Sequence, residues 1–508
     1  EDDATGTLTS EYLRQAEASI KTLVNAGPHH KIISVGAGTT AAVHQLQQIL
    51  GVYVPPAGKE LFRQLLASRF PGPELEELSA WLLAQRPVVF VGPFEHHSNE
   101  VSWRECFTEV VEVDLGADGL LDLDDLARKL DRQEYRDRRR IGAFSAASNV
   151  SGVKSPVHDV ARILHRGGAL ALFDFAAAAP YQAIDMNRDE ESFFDALYFS
   201  PHKLLGGPGS CGILIIHERI YRADLPPTVG AGGTVDFVSF DAQDYNADIE
   251  VREKAGTPGI LQTMRAALAL QLKERLGVAR IEARERELVS RARSLLCGHP
   301  SIELMGDAEP EHRLPIFSFT IRVGSSWLHP RFVTMLLNDL FGIQSRAGCS
   351  CAAPYGHRLL HIDEFKSRRF EHSIRSGNVG LKPGWARVNF HFLHTDEEVD
   401  FICHAIRFIA ENGAAFLPLY SFDIRTGKWR HRGAAPAAGT FGIEEALRAT
   451  AASEVASADR EEEPDLGALF KSYLDEARQR AAFLRDDMAR RELKTTEKDL
   501  IPFVYVEG

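Results

Sequence analysis

The residues best placed to do chemistry lie in the stretch YFSPHKLLGGPGSCGILII, residues 198–216. Lys203 follows Ser200 and His202 just past a strand-like run and precedes Gly206, Gly207 and Gly209. The carboxyl end of a buried strand is where crossover sheets present ligands, and a lysine there can condense with a carbonyl. The glycines let backbone approach a bulky group. Upstream, ALALFDFA puts Asp174 at the end of an apolar strand. Taken alone it reads equally as a turn or N-cap residue, but a carboxylate there can also keep a pyridine nitrogen protonated. VGAGTTAAVHQL reads as strand, glycine turn and helix, with Thr39 and Thr40 at the helix start. Free N–H groups, hydroxyls and the helix dipole make that turn an anion site. It has neither the Lys-Ser/Thr of a P-loop nor a full G-x-G-x-x-G. A small phosphorylated group suits it better than a nucleotide, and with Lys203 and Asp174 it meets the needs of pyridoxal 5'-phosphate (PLP).

A second cluster lies in SRAGCSCAAPYG, residues 345–356, where Cys349 and Cys351 stand one residue apart. The pair is compatible with a disulfide, half of a metal site with His357 and His361, two inert buried thiols, or a nucleophile. A disulfide across one residue is strained, and the spacing does not match the common zinc patterns.

The elements that must hold these residues alternate. KIISV, PVVFVG, FTEVVEVDL, RIGAFSA, ALALFDF, FDALYFS and CGILII read as strands. TTAAVHQLQQIL, LDDLARKL and VHDVARILHRG read as helices between them. Short apolar strands alternating with helices predict βαβ units and a largely parallel sheet buried on both faces. A first helix is expected over residues 10–26, with Ser10 as its N-cap and Gly27 as its stop. From about residue 260 the pattern becomes a long helical stretch over 260–297, then strand, helix, strand, helix, as in a smaller α+β domain. Residues 434–440 and 452–465 read as linkers, and 466–494 as a charged helix. The expected organisation is an N-terminal helical segment over 1–30, a large domain over 31–258, a small α+β domain over 259–415, and an extension over 416–508.

Composition narrows the function class. A net charge of −13 argues against nucleic acid or an anionic membrane as the main partner. Six cysteines in 508 residues are too few for a secreted disulfide framework. No apolar run reaches membrane-spanning length, and no signal peptide opens the chain. A cytoplasmic setting is expected. The chain begins at Glu1 in a polar stretch, so further residues are expected upstream, which leaves room for a targeting signal.

Taken together, these stretches resemble the class V aminotransferase family of fold-type I PLP enzymes, and within it the cysteine desulfurase and selenocysteine lyase branch, over roughly residues 10–412. The resemblance implies an α/β fold with a mostly parallel seven-stranded sheet and a smaller C-terminal α+β domain. It implies PLP as cofactor and Lys203 as its Schiff-base lysine, with Ser200 and His202 on the phosphate. Asp174 becomes the pyridinium partner, and GTT the phosphate turn, with Thr40 favoured over Thr39. EHHSNEVSW resembles the family's Glu-His-His segment, which puts His96 on the pyridine ring as a proton shuttle. SNVSG carries Asn149 near the cofactor and substrate. EKAGTPG carries Thr257, which reaches the partner subunit's cofactor in a homodimer. WARVNFHFLHTDEEVD carries Arg387, which holds the substrate carboxylate bidentately. SRAGCSCAAP aligns with the nucleophile loop, with Cys351 on the nucleophile. The implied reaction takes sulfur from L-cysteine as a Cys351 persulfide, releases alanine, and passes the sulfur to an acceptor protein. The other readings are an aminotransferase, an epimerase, a selenocysteine lyase, or a non-catalytic sulfur carrier that binds partners. Three departures from the family pattern stand out. Ala177 replaces a usual glutamine, Cys349 sits where relatives vary, and an N-terminal Asn-Ala-Ala-Thr segment is not seen.

Overall fold

The computed structural model describes residues 3–306, 308–433, 442, 444, 465–497 and 499–507. The linker stretches 434–440 and 452–464 lie outside the described residues. The chain divides into two compact units. The first comprises Glu1–Val289, Gly306–Ile316 and Cys351–Tyr355; the second comprises Ser290–Met305, Phe317–Ser350 and Gly356–Gly508.

The first unit is built on a seven-stranded sheet of β1 (His30–Val35), β2 (Val88–Val91), β3 (Glu109–Glu112), β4 (Arg140–Ser145), β5 (Leu170–Asp174), β6 (Ala196–Phe199) and β7 (Gly212–His217). Their spatial order is β1-β7-β6-β5-β4-β2-β3. β7 runs antiparallel to both neighbours, and the other pairings are parallel. Both faces are covered, and the strand sequences show why. Phe90, Phe144, Phe173, Ile213 and Ile215 enter one core, while Val89, Val91, Ile141, Ala143, Leu172 and Leu214 enter the other. Alternate residues of one strand point to opposite faces, so continuous apolar runs are required rather than an alternating pattern.

Helix α1 spans Ala4–Leu23, with Asp3 rather than Ser10 as N-cap; the Asp3 carboxylate accepts the Gly6 N–H at 2.8 Å. Capping is local chemistry, and Asp3 offers the same acceptor seven residues earlier. Helix α2 spans Gly38–Ile49 and buries Ala42, Val43 and Leu46 against the sheet. Two helices, Pro56–Arg69 and Gly72–Ala84, lie between α2 and β2 outside the elements read from periodicity, and neither has a fully buried residue. The long helical stretch is two helices, Ile260–Leu276 and Val278–Leu296, broken at Gly277, whose φ of 89° no ordinary residue adopts comfortably. A hairpin of β8 (Val235–Val238) and β9 (Gln243–Tyr245) also belongs to this unit.

The second unit carries β10 (Ile302–Leu304), β11 (Ile316–Val323), β12 (Ser326–Leu328), β13 (Arg346–Gly348), β14 (Trp385–Asn389), the hairpin β15 (Tyr420–Asp423) and β16 (Lys428–His431), and β17 (Lys494–Thr495) and β18 (Phe503–Tyr505). Its sheet runs β13-β14-β11-β12-β18-β17, with β10 paired to β11. The C-terminal residues therefore complete this sheet: β18 lies parallel to β12, with Trp327 opposite Phe503. Helix Leu466–Met488 packs on helix Asp396–Asn412, with Phe401 and Phe470 stacked at 4.2 Å and Arg485 donating to Asn412 Oδ1 at 2.5 Å.

Candidate functional site

The carboxyl ends of β2, β4, β5 and β6 in the first unit bring together most of the residues singled out above. Asp174 is the last residue of β5 and is 4% exposed. Burial raises its carboxyl to about 6; the Ala176 N–H, which donates to Oδ1 at 2.7 Å, and the positive charge of Lys203 oppose the rise. Lys203 closes the short 3-10 turn Pro201–Lys203 after β6 and is exposed. β5 and β6 pair in parallel, so these two residues leave adjacent strand ends.

Beside them lies the start of α2, whose N-cap residue, Ala37, supplies no side-chain cap. Gly38 has φ +64°, and a Cβ there would stand 2.7 Å from His202 Cε1 and 2.9 Å from Ser200 Oγ. Gly212, at the start of β7, has no room for a side chain either, since its Cβ would meet Gly38 O at 2.4 Å. Ser200 Oγ accepts the Thr39 N–H at 2.9 Å and shares a hydrogen bond with Thr39 Oγ1 at 2.8 Å. Thr40 Oγ1 bonds Ser98 Oγ at 2.7 Å, which ties the helix start to the His96 loop. The His202 imidazole is held below its usual range by burial and by the neighbouring Lys203 charge. Three hydroxyls, an imidazole and a helix N-terminus around a glycine make a cradle for a small dianion, with a buried carboxyl and a lysine next to it. These residues fit PLP: Thr39, Thr40, Ser200 and His202 suit the phosphate, Asp174 the ring nitrogen and Lys203 the aldehyde carbon.

His96 leads the turn His97–Asn99, and its Nδ1 accepts the Ser98 N–H at 3.1 Å. Asn149 sits on the loop after β4 and is half-buried. Thr257 is exposed on the loop before helix Ile260–Leu276. Cys351 also falls in the first unit, half-buried, with φ +59° after Ser350 at +54°. Its carbonyl accepts the His97 N–H at 2.8 Å. Arg387 lies in the second unit, on β14 directly opposite Arg346 of β13. All six cysteines are free thiols. Among the described residues no cluster of three or more His, Cys, Asp or Glu side chains could hold a metal ion, and no helix is long and apolar enough to cross a membrane.

One buried group was not singled out from the sequence. Glu95, just past β2, is 3% exposed, and burial lifts its carboxyl to about 7, opposed by its hydrogen bonds. The N–H groups of Gly92 and Ser145 donate to its Oε1 at 3.2 and 2.8 Å. Asn99 Nδ2 and the Ser145 hydroxyl donate to its Oε2 at 2.7 and 2.5 Å. Asn99 Oδ1 in turn accepts from the Tyr198 hydroxyl at 2.6 Å and from Trp103 Nε1 at 3.4 Å. This network joins the ends of β2, β4 and β6 beneath the His96 loop. Its signal in the sequence is a carboxylate placed directly after the apolar run VVFVGPF.

The model of the family described as aminotransferase class-V matches residues 76–402. "Probable cysteine desulfurase 2" of Mycobacterium leprae is 30% identical over 276 residues, which cover 54% of this chain and 62% of that protein. This chain thus spans less than two thirds of that relative. "Probable cysteine desulfurase" of Staphylococcus aureus (strain COL) is 28% identical over 407 residues, 79% of this chain and 82% of the other. Among solved structures, the apo cysteine desulfurase from Thermococcus onnurineus NA1 superposes with a TM-score of 0.61 at 22% identity, covering 81% of this chain and 86% of that one. The cysteine desulfurase CsdA from Escherichia coli gives 0.60 at 22% identity with the same coverage. At that identity the two structures speak to the fold.

Proposed function

The chain belongs to the class V aminotransferase family, and from that premise we propose that it is a PLP-dependent cysteine desulfurase that takes sulfur from L-cysteine. The observation that carries the reading is the pairing of Asp174, buried at the end of β5, with Lys203, whose charge reaches it from the end of β6. Bound PLP supplies an electron sink for the carbanion formed next to the substrate amine. The residues of the chain do the rest. Asp174 would pair its carboxylate with the ring nitrogen of the bound group. Lys203 would take the α-proton of the substrate, and His96 would assist the proton transfer. Arg387 holds the substrate carboxylate and Asn149 its neighbourhood. The Cys351 thiolate attacks the substrate sulfur, the carbon–sulfur bond breaks, and alanine leaves with a persulfide remaining on Cys351. Ala177 supplies no side-chain hydrogen bond to the cofactor's phenolic oxygen, so that task falls to Asn149. Thr257, exposed before helix Ile260–Leu276, completes the phosphate cradle of a second copy, which makes the active species a homodimer. A sulfur-acceptor protein collects the persulfide sulfur, and the setting is cytoplasmic.

Purified protein supplied with PLP, L-cysteine and an excess of a thiol reductant, which frees the persulfide sulfur as sulfide, tests the reading. A cofactor absorption band in the visible, with alanine and sulfide released in equal amounts, is the expected result. A protein that takes up no PLP refutes it. Full activity in Cys351→Ser would move the function to an aminotransferase or an epimerase.

A further inference from the structure

We propose that His97 is a positioning residue that latches the Cys351 segment to the loop carrying His96. The proposal rests on the desulfurase reading and deepens it. Residues Cys351–Tyr355 belong to the first unit, together with His97. Two hydrogen bonds clamp the two stretches. The His97 N–H donates to the Cys351 carbonyl at 2.8 Å, and His97 Nε2 accepts the Ala353 N–H at 3.0 Å. Further along, the Tyr355 hydroxyl donates to Ser151 Oγ at 3.1 Å, and its ring meets Phe94 edge-on at 5.7 Å. The thiol-bearing residue and the segment that follows it are therefore held by His97 and, further along, by Tyr355.

The backbone needs such a hold. Ser350 and Cys351 are consecutive non-glycine residues with positive φ, a conformation that L residues adopt only when their surroundings impose it. The clamp also fixes the state of the imidazole. Accepting from Ala353 requires a lone pair on Nε2, so the ring is neutral with its proton on Nδ1. Burial, and the Arg104 charge, hold His97 below its usual range, in the direction the clamp needs. The charged and titratable groups near it are Arg104, Glu100 paired with Arg104, and His96, whose ring centroid lies 6.3 Å away. Because His96 and His97 are neighbours in sequence, one peptide registers the sulfur acceptor against the residue assigned to the cofactor face. Chemistry between oriented groups is sensitive to misplacement of about 1 Å, so a released segment slows sulfur transfer more than it weakens substrate binding.

The test compares His97→Ala, His97→Gln and Ala353→Pro in the full chain loaded with PLP. Glutamine keeps an acceptor for the Ala353 N–H. Proline at 353 removes that N–H at the first residue of helix Ala353–Leu359, where proline is tolerated. Two readouts are taken: alkylation of Cys351 by iodoacetamide, followed by peptide mass, and the kinetics of alanine release from L-cysteine. One lost hydrogen bond of ordinary strength corresponds to about a tenfold change. His97→Ala is expected to speed alkylation about tenfold and to lower kcat about tenfold, with KM moved less than about twofold. His97→Gln restores most of both, and combining His97→Ala with Ala353→Pro adds little to either alone. Wild-type alkylation rates in His97→Ala, equal losses in the alanine and glutamine variants, or additive effects in the double variant would each overturn the latch. Alkylation needs no turnover. If wild-type protein released no alanine, the desulfurase reading would fall while the alkylation arm still judged the latch.

Discussion

The strand-end cluster around Asp174 and the Cys351 segment solve opposite problems in one unit. Asp174, Glu95 and Ser200 are fixed by parallel strands whose ends are knitted by backbone and side-chain hydrogen bonds. Two of these carboxyls are buried at a real cost, seen in their upward shifts to about 6 and about 7. The Cys351 segment has no strand partner, two strained residues at its start, and a few hydrogen bonds to hold it. Fixed charge needs a rigid, dry frame; a sulfur that must reach substrate and then an acceptor needs an anchor that can let go.

The largest test of this contrast is Lys203→Ala, expected to abolish the visible cofactor band and to lower alanine release at least about a thousandfold. Absorption spectra and a coupled alanine assay read both. Cys351→Ser is expected to lose sulfide release at least about a hundredfold while keeping the band, because the fixed half stays intact.

The buried carboxyls give stability effects that run against activity. A group lifted in the native state from 3.8 to about 6 disfavours that state by about 3 kcal/mol once ionised. Asp174→Asn should therefore stabilise the cofactor-free protein by up to about 3 kcal/mol at pH 8, by urea midpoint, while turnover collapses. Glu95, lifted from 4.5 to about 7, behaves likewise. Between those values the native state holds a proton that the unfolded chain has released, so stability falls as pH rises through that window. The Ser145 hydroxyl, 2.5 Å from Oε2, is the one partner that can reverse and accept that proton. Glu95→Gln should flatten the slope of urea midpoint against pH across about pH 4.5–7 by about 3 kcal/mol in total, and an unchanged slope would remove Glu95 as its source. Smallest is Gly38→Ala, expected to cost about 2 kcal/mol and to weaken PLP retention, since the new methyl meets His202 and Ser200 from a left-handed backbone.

Much of the scaffold was legible because its signals are local. All seven strands of the first sheet coincide with apolar runs read from the sequence, although the outer β3 is shorter than its run, Glu109–Glu112 within 107–115. The helices Pro56–Arg69 and Gly72–Ala84 were not legible, because helices that bury no residue fully show no clear apolar stripe. The split at Gly277 was hidden by charge-rich sequence on both sides, and its left-handed backbone is visible only in three dimensions.

At the site the division is similar. Lys203, Asp174 and Thr39 stand in local motifs at strand ends that residue type and position nominate, while Ser200 and His96 were nominated by the family resemblance. Glu95 in its network and His97 on the Cys351 segment were not readable, since their partners lie 50 and more than 250 residues away. By itself the sequence determined the alternating α/β frame, the family, and which side chains could carry chemistry, because periodicity and motif spacing are written locally. Only the tertiary structure decided which thiol segment enters the first unit, which histidine holds it, and how far burial moves the two carboxyls. Desolvation and hydrogen bonding across such chain distances exist only once the strands have brought the residues together.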